Sequence, residues 1–327
     1  MALQPYETFK GVTDWRRDGF NDNLRYGMLS WCRWALLQIG GFENVLKSQA
    51  SGIYGGHPAI LRGVTDPNFE QGRVWEGIRS DWVWETGISY GVQPRQCSGV
   101  YVDGAFKPTA TEVGAYEHYI DYPRGRVVFT NAIPTTSDVR CDYAFRIPTA
   151  AYSKMPWMQE LLYGSLNVHR SDFMAAGSGS HNQLAEARRQ MPTIGLELSQ
   201  RRGYHPYQLG GGQFVYQDVL LHVLAESQGE RDKLVNVLSN QNDRVIVLPD
   251  RGLMKEGATF PVDIDVKGRP VSNPMQYPSI VAPTGDGGFK WAQVMLRDAQ
   301  SQVIQTANDW LYRGVVRLTC EAIFENV

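Results

Sequence analysis

The chain holds only four cysteines, Cys32, Cys97, Cys141 and Cys320, and no two of them stand in a CxxC spacing. Neither a zinc site nor a dense disulfide framework is therefore indicated, and reduced thiols are the expectation. Charge of either sign is equally short of an excess: 32 basic against 34 acidic residues leave a net charge of −2 over 327 residues. So even a mixture gives no electrostatic footprint for a nucleic-acid groove or an anionic membrane. Long apolar runs are missing as well. The most apolar stretch, Met28 to Ile39, is too short to span a bilayer and contains Arg33, and the N-terminus MALQPYETFKGV has no basic region followed by an apolar one. A soluble protein with no secretion signal and no membrane partner is predicted.

Catalytic and ligand-binding signatures are also lacking. No G-x-x-x-x-G-K-[ST], no G-x-G-x-x-G after a strand, no H-E-x-x-H and no EF-hand loop occurs, which removes support for phosphate cradles, dinucleotide sites, zincins and calcium loops. His57, His118, His169, His181 and His205 are dispersed, and no spacing sets two on one helical face. His222 stands alone in an apolar strand pattern and reads as a side chain beside a sheet. Asp263, Asp265 and Asp286 have the chemistry to pair as acids or hold calcium, yet Val262 to Val266 also fits a half-exposed alternating strand. The GSGSH run sets a serine near His181 without the strand and elbow of a hydrolase nucleophile, so it reads as a loop. The sequence thus predicts a protein that is not an enzyme, with no catalytic residue, cofactor or metal.

What the chain does have is nine Trp, sixteen Tyr, 33 Gly and 17 Pro, a composition of short strands and tight turns. Its most regular stretch is YQDVLLHVLAESQGERDKLVNVLSNQNDRVIVLPD, Tyr216 to Asp250. Val219, Leu221, Val223 and Ala225 alternate as in a strand, with Leu220 and Leu224 on its other face. Ser227 and Glu230 stand in the S-x-x-E relation of a capping box, so a helix should begin near Gly229 with Leu234, Val235 and Leu238 facing the core. Val245 to Leu248 follows as a second strand, stopped by Pro249.

Four segments are predicted around this unit, giving an α+β fold. Residues 1–50 form a helical arm, capped by Asn21, Asp22 or Asn23, carrying Leu24, Met28, Trp31, Ala35 and Ile39 at helical spacing and stopped by Gly40 and Gly41. Trp15, Trp31 and Trp34 exceed what one helix needs to dock, which raises a partner-facing role. Residues 51–148 form a β-sandwich or small barrel. Its signals are the strand-like runs Ala59 to Val64 and Val74 to Trp84, a hairpin at Asp103-Gly104, a second at Pro123-Arg124-Gly125, and a last strand from Val139 to Ile147. Residues 149–192 are a helical connector, with helices over Met155 to Leu166 and Gln183 to Gln190. Residues 193–327 form a small α/β domain with candidate strands at Ile194 to Leu198, Trp291 to Leu296 and Val315 to Phe324. A proline-rich excursion, Gly252 to Asp286, interrupts it.

Two segments carry a resemblance. GVYVDGAFKPTATEVGAYEHYIDYPRGRVVF followed by VRCDYAFR resembles a β-domain of tailed-bacteriophage virion proteins, and LHVLAESQGERDKLVNVLSNQNDRVIVLPD resembles the strand–helix–strand core of phage neck and tail-terminator proteins. That resemblance implies a structural role in the neck or tail of the virion, assembled after synthesis in the host bacterial cytoplasm. It implies a hexameric or dodecameric ring that joins capsid and tail, contacts portal, neck and tail proteins, and passes DNA without binding it specifically. Candidate interface residues are Trp31, Trp34, Trp75, Trp82 and Trp84, together with Pro261, Pro270, Pro274 and Pro278 of the excursion as an arm reaching a neighbour. Alternatives are a baseplate or tail-tube role, a carbohydrate- or receptor-binding module using Trp75, Trp82, Trp84 and Tyr101 as a stacking platform, and a hydrolase with an unrecognised acid pair.

Overall fold

The computed structural model describes residues 19–48, 58–155, 158–159, 162, 190–206, 212–256, 276–282, 288–304 and 311–324. The expected helix over Gln183 to Gln190, the loop around His181, the aspartates Asp263, Asp265 and Asp286, and most of the helix expected from Met155 lie outside these residues.

The first described element is α1, Phe20–Gln38. It starts one turn earlier than the sequence suggests, with Gly19 as N-cap, so Asn21 to Asn23 lie inside its first turn. Asn23 is nonetheless used, because its side-chain oxygen accepts a bond from the Arg251 amide at 3.1 Å. The helix stops as expected: Gly40 has φ +79°, and Gly40 and Gly41 donate back to the Leu37 and Leu36 carbonyls at 3.1 and 2.8 Å. These two bonds satisfy carbonyls that the helix end would orphan.

Short strands follow: β1 (Phe42–Val45), β2 (Arg62–Val64), β3 (Val74–Glu76), β4 (Gly99–Val102), β5 (Ala105–Pro108), β6 (His118–Asp121), β7 (Arg126–Phe129), β8 (Val139–Cys141) and β9 (Tyr143–Arg146). They make a four-stranded sheet, β2-β3-β7-β6, a three-stranded sheet, β5-β4-β8, and the pair β1-β9. Both expected hairpins are present, with Asp103 and Gly104 at φ 49° and 85° and Gly125 at 64°. Two strand expectations need correction. Val139 to Ile147 is two strands that pair in different sheets, and Ala144 and Arg146 are buried along with Tyr143 and Phe145. The run from Val74 stops being strand after Glu76; Trp82 and Val83 instead lie along neighbouring segments, their amides bonding to Tyr122 O and Ala144 O at 2.8 Å each.

The larger sheet contains β10 (Thr149–Tyr152), β11 (Thr193–Pro206), β12 (Gln213–Ala225), β13 (Arg244–Pro249), β14 (Lys290–Ile304) and β15 (Tyr312–Phe324). Its order is β10-β11-β12-β15-β14-β13, and every pair but β10-β11 is antiparallel. The central unit forms its elements where expected: β12, then α2 (Gln228–Ser239), then β13. Ser227 caps α2, its hydroxyl accepting from the Glu230 amide at 3.2 Å. Yet β13 is not the neighbour of β12, because β15 and β14 lie between them. Two short helices, α3 (Arg251–Glu256) and α4 (Tyr277–Ile280), complete the described structure.

The α+β expectation is therefore overturned: the described chain is mostly β, with fifteen strands against four α-helices. The region from 193 is an antiparallel sheet rather than an α/β domain, since the unit that suggested a crossover spans the sheet to its far edge. Nor is α1 an arm. Leu24, Met28 and Trp31 sit in one core with Val219, Leu221, Val223, Leu234, Leu238, Val316, Leu318 and Cys320, so α1 and α2 cover the same face of the sheet. Gly27 makes this possible, because a Cβ there would stand 2.7 Å from Leu248 Cδ2. The opposite face carries a smaller core of Ala151, Met158, Leu162, Met191, Leu224 and Leu311.

Pairing also crosses the segment limits read from sequence. Residue 148 is followed at once by β10, which joins the larger sheet, and β1 pairs with β9. A charge cluster seals this junction. Arg146, 2 % exposed, donates from Nε to Asp81 Oδ1 at 3.3 Å and from Nη2 to Glu85, and Arg33 of α1 reaches the same Asp81 oxygen at 2.6 Å. Burial disfavours the Arg146 cation, yet Glu85 and Asp81 together hold its pKa above the ordinary arginine value.

Candidate interaction surface

Two features of the described surface are unfilled. The first is a cavity of about 330 Å³ between the C-terminal halves of α1 and α2 and the start of α4. Trp31 and Trp34 come from α1, Leu238 from α2, and Arg244, Tyr277 and Pro278 close the other side. The helical periodicity that buries Leu24 and Met28 carries Trp31 to the cavity floor, while Ile39, 54 % exposed, stands at its rim. The Arg244 guanidinium lies 5.8 Å above the Trp31 ring and donates to Gln241 Oε1 at 3.2 Å. Tyr277 is fixed by donating its hydroxyl to the Val247 carbonyl at 2.9 Å, and burial pushes its pKa up to about 12. The wall is an apolar pocket with one cation and no acid–base pair.

The second feature is the outline of the larger sheet. β10 pairs only with residues 193–196 of β11, and β13 only with residues 290–296 of β14. Beyond those limits both strands continue, β11 to Pro206 and β14 to Ile304, and no described strand pairs with their outer edges. Both extensions run past the core, with Tyr204 46 % and Val303 52 % exposed. A bulge between Leu198 and Arg202 marks where β11 leaves the core. The buried Gln217 side chain fills it, donating to the Ser199 and Arg201 carbonyls at 2.6 and 3.2 Å.

Of the residues singled out from sequence, the cavity brings together Trp31, Trp34 and Pro278. Trp75 and Trp82 are elsewhere, 3 % and 1 % exposed. Their indole N–H groups donate to the Gly72 and Arg79 carbonyls at 2.9 and 2.8 Å, and Trp82 stacks on Tyr143 with centroids 4.1 Å apart. Both are core residues of the β-region, which leaves no ring face for a sugar. Trp84 is half-buried, and Tyr101 has the Lys47 ammonium 3.7 Å above its ring. Pro261, Pro270 and Pro274 lie outside the described residues.

His222 and His118 are absorbed into the fold, whereas His205 is exposed. His222 Nε2 meets Glu197 Oε2 at 2.9 Å across β12 and β11; burial first, and then Arg313, lower its pKa against the pull of Glu197. His118 is held by Thr109 Oγ1 and the Tyr116 carbonyl, and burial lowers its pKa too. No group of three His, Cys, Asp or Glu side chains with metal-holding geometry occurs among the described residues. One pairing had no signal in the spacing: Cys97 and Cys141, 44 residues apart, face each other with sulfurs 2.8 Å apart. Burial, then the contact with Cys97, raises the Cys141 pKa, which keeps that thiol protonated. No described helix is long and apolar enough to cross a membrane. The chain matches no protein family and no curated protein.

Proposed function

We propose that this chain is a structural subunit of a tailed-bacteriophage virion, not an enzyme, and that it assembles into a ring of six or twelve copies in the neck or tail. The observation that carries the reading is the outline of the larger sheet, whose flanking strands β10 and β13 are short and leave the next strands, β11 and β14, extended past them. A long unpaired edge is a template for another chain, and proteins that stay monomeric blunt such edges with lysine, proline or a covering element. The β14 extension, Arg-Asp-Ala-Gln-Ser-Gln-Val-Ile, contains neither lysine nor proline, whereas the β11 extension, Arg-Arg-Gly-Tyr-His-Pro, follows a bulge and ends in Pro206, so β14 is the more open of the two edges. The resemblance of 99–129 and 139–146 and of 221–250 to virion proteins gives the setting. In it the ring joins capsid and tail, contacts portal, neck and tail proteins, and passes DNA without specific binding, as the near-zero net charge suits.

Electron microscopy of purified virions tests this. Density for the chain at six or twelve copies between capsid and tail is the expected result. Its absence from the particle, or a three-fold position at a fibre tip, overturns the proposal.

A further inference from the structure

We propose that Cys97 and Cys141 are a latent disulfide, open while the chain is in a reducing compartment and closed in an oxidising one, where it staples the β-region. The bond itself does not depend on the ring reading. That reading supplies only its timing, since a virion leaves the reducing host cytoplasm for oxidising surroundings.

Placement is the first argument. Cys141 lies in β8 opposite Val100 of β4, with its amide bonded to the Ala59 carbonyl at 3.0 Å. Cys97 stands two residues before β4, next to Gln96, whose side chain donates to the Glu85 carbonyl at 2.8 Å. Both thiols turn into one core, 6 % and 0 % exposed, and their sulfurs meet at 2.8 Å. A disulfide needs about 2.05 Å, so small side-chain rotations complete the approach with both backbones in place. The remaining sulfur contacts are weak ones to backbone carbonyls: Gly99 at 3.9 Å from Cys97 and 3.5 Å from Cys141, and Asp142 at 3.3 Å from Cys141. Neither thiol is committed elsewhere.

The pair is also exclusive. Cys32 and Cys320 lie in the other core, under the larger sheet, and do not compete. No metal-holding group of three His, Cys, Asp or Glu occurs among the described residues, which separates the pair from half of a zinc site.

What the bond would hold is the third argument. Residues 77–98 contain no named strand, only the bridge from Trp82 to Phe145, yet they carry Asp81 and Glu85 to the buried Arg146. Cys97 ends this run, so a bond to β8 fastens it covalently and closes a loop between positions 44 residues apart. Loop closure removes open conformations from the unfolded chain, and a fold that already holds the thiols together favours the bond in return.

The step balances with a small-molecule disulfide as oxidant. Cys97, the slightly exposed sulfur, attacks oxidised glutathione as a thiolate; the glutathione S–S bond breaks, a mixed disulfide forms and one glutathione thiolate leaves. Cys141 then gives up its proton, attacks the Cys97 sulfur and expels the second glutathione. The two cysteines lose two electrons and two protons, and one oxidised glutathione becomes two reduced ones. Because both sulfurs are buried, the exchange waits on local opening and is slow.

The test incubates the full chain with reduced or oxidised glutathione until nothing further changes, blocks the remaining thiols in denaturant and maps the peptides by mass spectrometry. The expected result in the oxidised sample is a monomer on a non-reducing gel with the Cys97 and Cys141 peptides joined, two hydrogens lighter, and with Cys32 and Cys320 free. In the reduced sample all four thiols are free. The oxidised chain should melt several degrees higher than the reduced one, and Cys97→Ser should melt alike in both buffers. If that variant does not fold, the map and midpoints of the unaltered chain decide alone. Four free thiols after oxidation, a bond to Cys32 or Cys320, a covalent dimer, or arrest at the mixed disulfide on Cys97 would each overturn the proposal. A bond that leaves the midpoint unchanged would overturn it too, since nothing is then stapled. None of these outcomes bears on the ring reading, which virion density judges separately.

Discussion

The β-region from 58 to 147 and the six-stranded sheet use the same secondary structure in opposite ways. In the first, strands are three or four residues long and, apart from the exposed β5, contribute most of their residues to the core, and Tyr143, Ala144, Phe145 and Arg146 are all buried. Its polar groups are turned inward and matched: Arg146 against Asp81 and Glu85, Arg126 against Asp66 and Glu76, and the Tyr143 hydroxyl against the Pro58 carbonyl. In the second, strands of 13 to 15 residues outrun the elements that cover them. Both regions are rich in aromatic and apolar residues, so composition does not tell them apart. Strand length measured against cover does: a strand that stops within its core is closed, and one that continues past it is available.

The closed character of the β-region is most sharply broken at Arg146. Replacing Arg146 with Met leaves Asp81 and Glu85 buried without their shared cation, which should cost about 3–5 kcal/mol. Denaturant unfolding of the full chain measures it, and a loss under 1 kcal/mol would show that the cluster does not hold the junction. A smaller effect is expected where the open sheet leaves its core. Gln217→Leu orphans the Ser199 and Arg201 carbonyls at the bulge and should cost about 1–3 kcal/mol. It should also disturb the β11 edge, so multimer formation should weaken along with stability. Ser227→Ala removes the α2 cap and should cost about 1 kcal/mol. Because Ser227 touches neither edge, its thermal midpoint should fall with association unchanged, and an altered association would blur the line drawn between the two regions.

Locally encoded features were legible in the sequence. The Asp103-Gly104 turn, the Gly40 helix stop, the Ser227 cap and the alternation of Val219, Leu221, Val223 and Ala225 depend on residues a few positions apart, and each forms as its neighbours dictate. Strand neighbours were not legible. β12, α2 and β13 read as a crossover until β14 and β15, which begin after residue 289, insert between the two strands. The Val139 to Ile147 alternation also misleads, because burial on both faces makes Arg146 look outward-facing while Asp81, 65 residues away, draws it in. At the candidate surface, the helical stripe gave Trp31 and the surplus of tryptophan gave Trp34, but their cavity needed α2 and α4. The open edges follow from where β10 and β13 end, which residue pattern alone does not reveal.

Hydrogen–deuterium exchange on the full chain, below and above the concentration at which it associates, tests most directly the claim that the sheet is open and the β-region closed. Amides of residues 201–205 and 297–304 that point away from β12 and β15 should exchange within the fastest phase in the single chain and slow by tenfold or more (about 1.4 kcal/mol per tenfold) on association, while those bonded to β12 and β15 are protected in both states. Those of β6 to β9 should not change. Slowing confined to the β-region, or association with both edges still exchanging freely, would contradict the account.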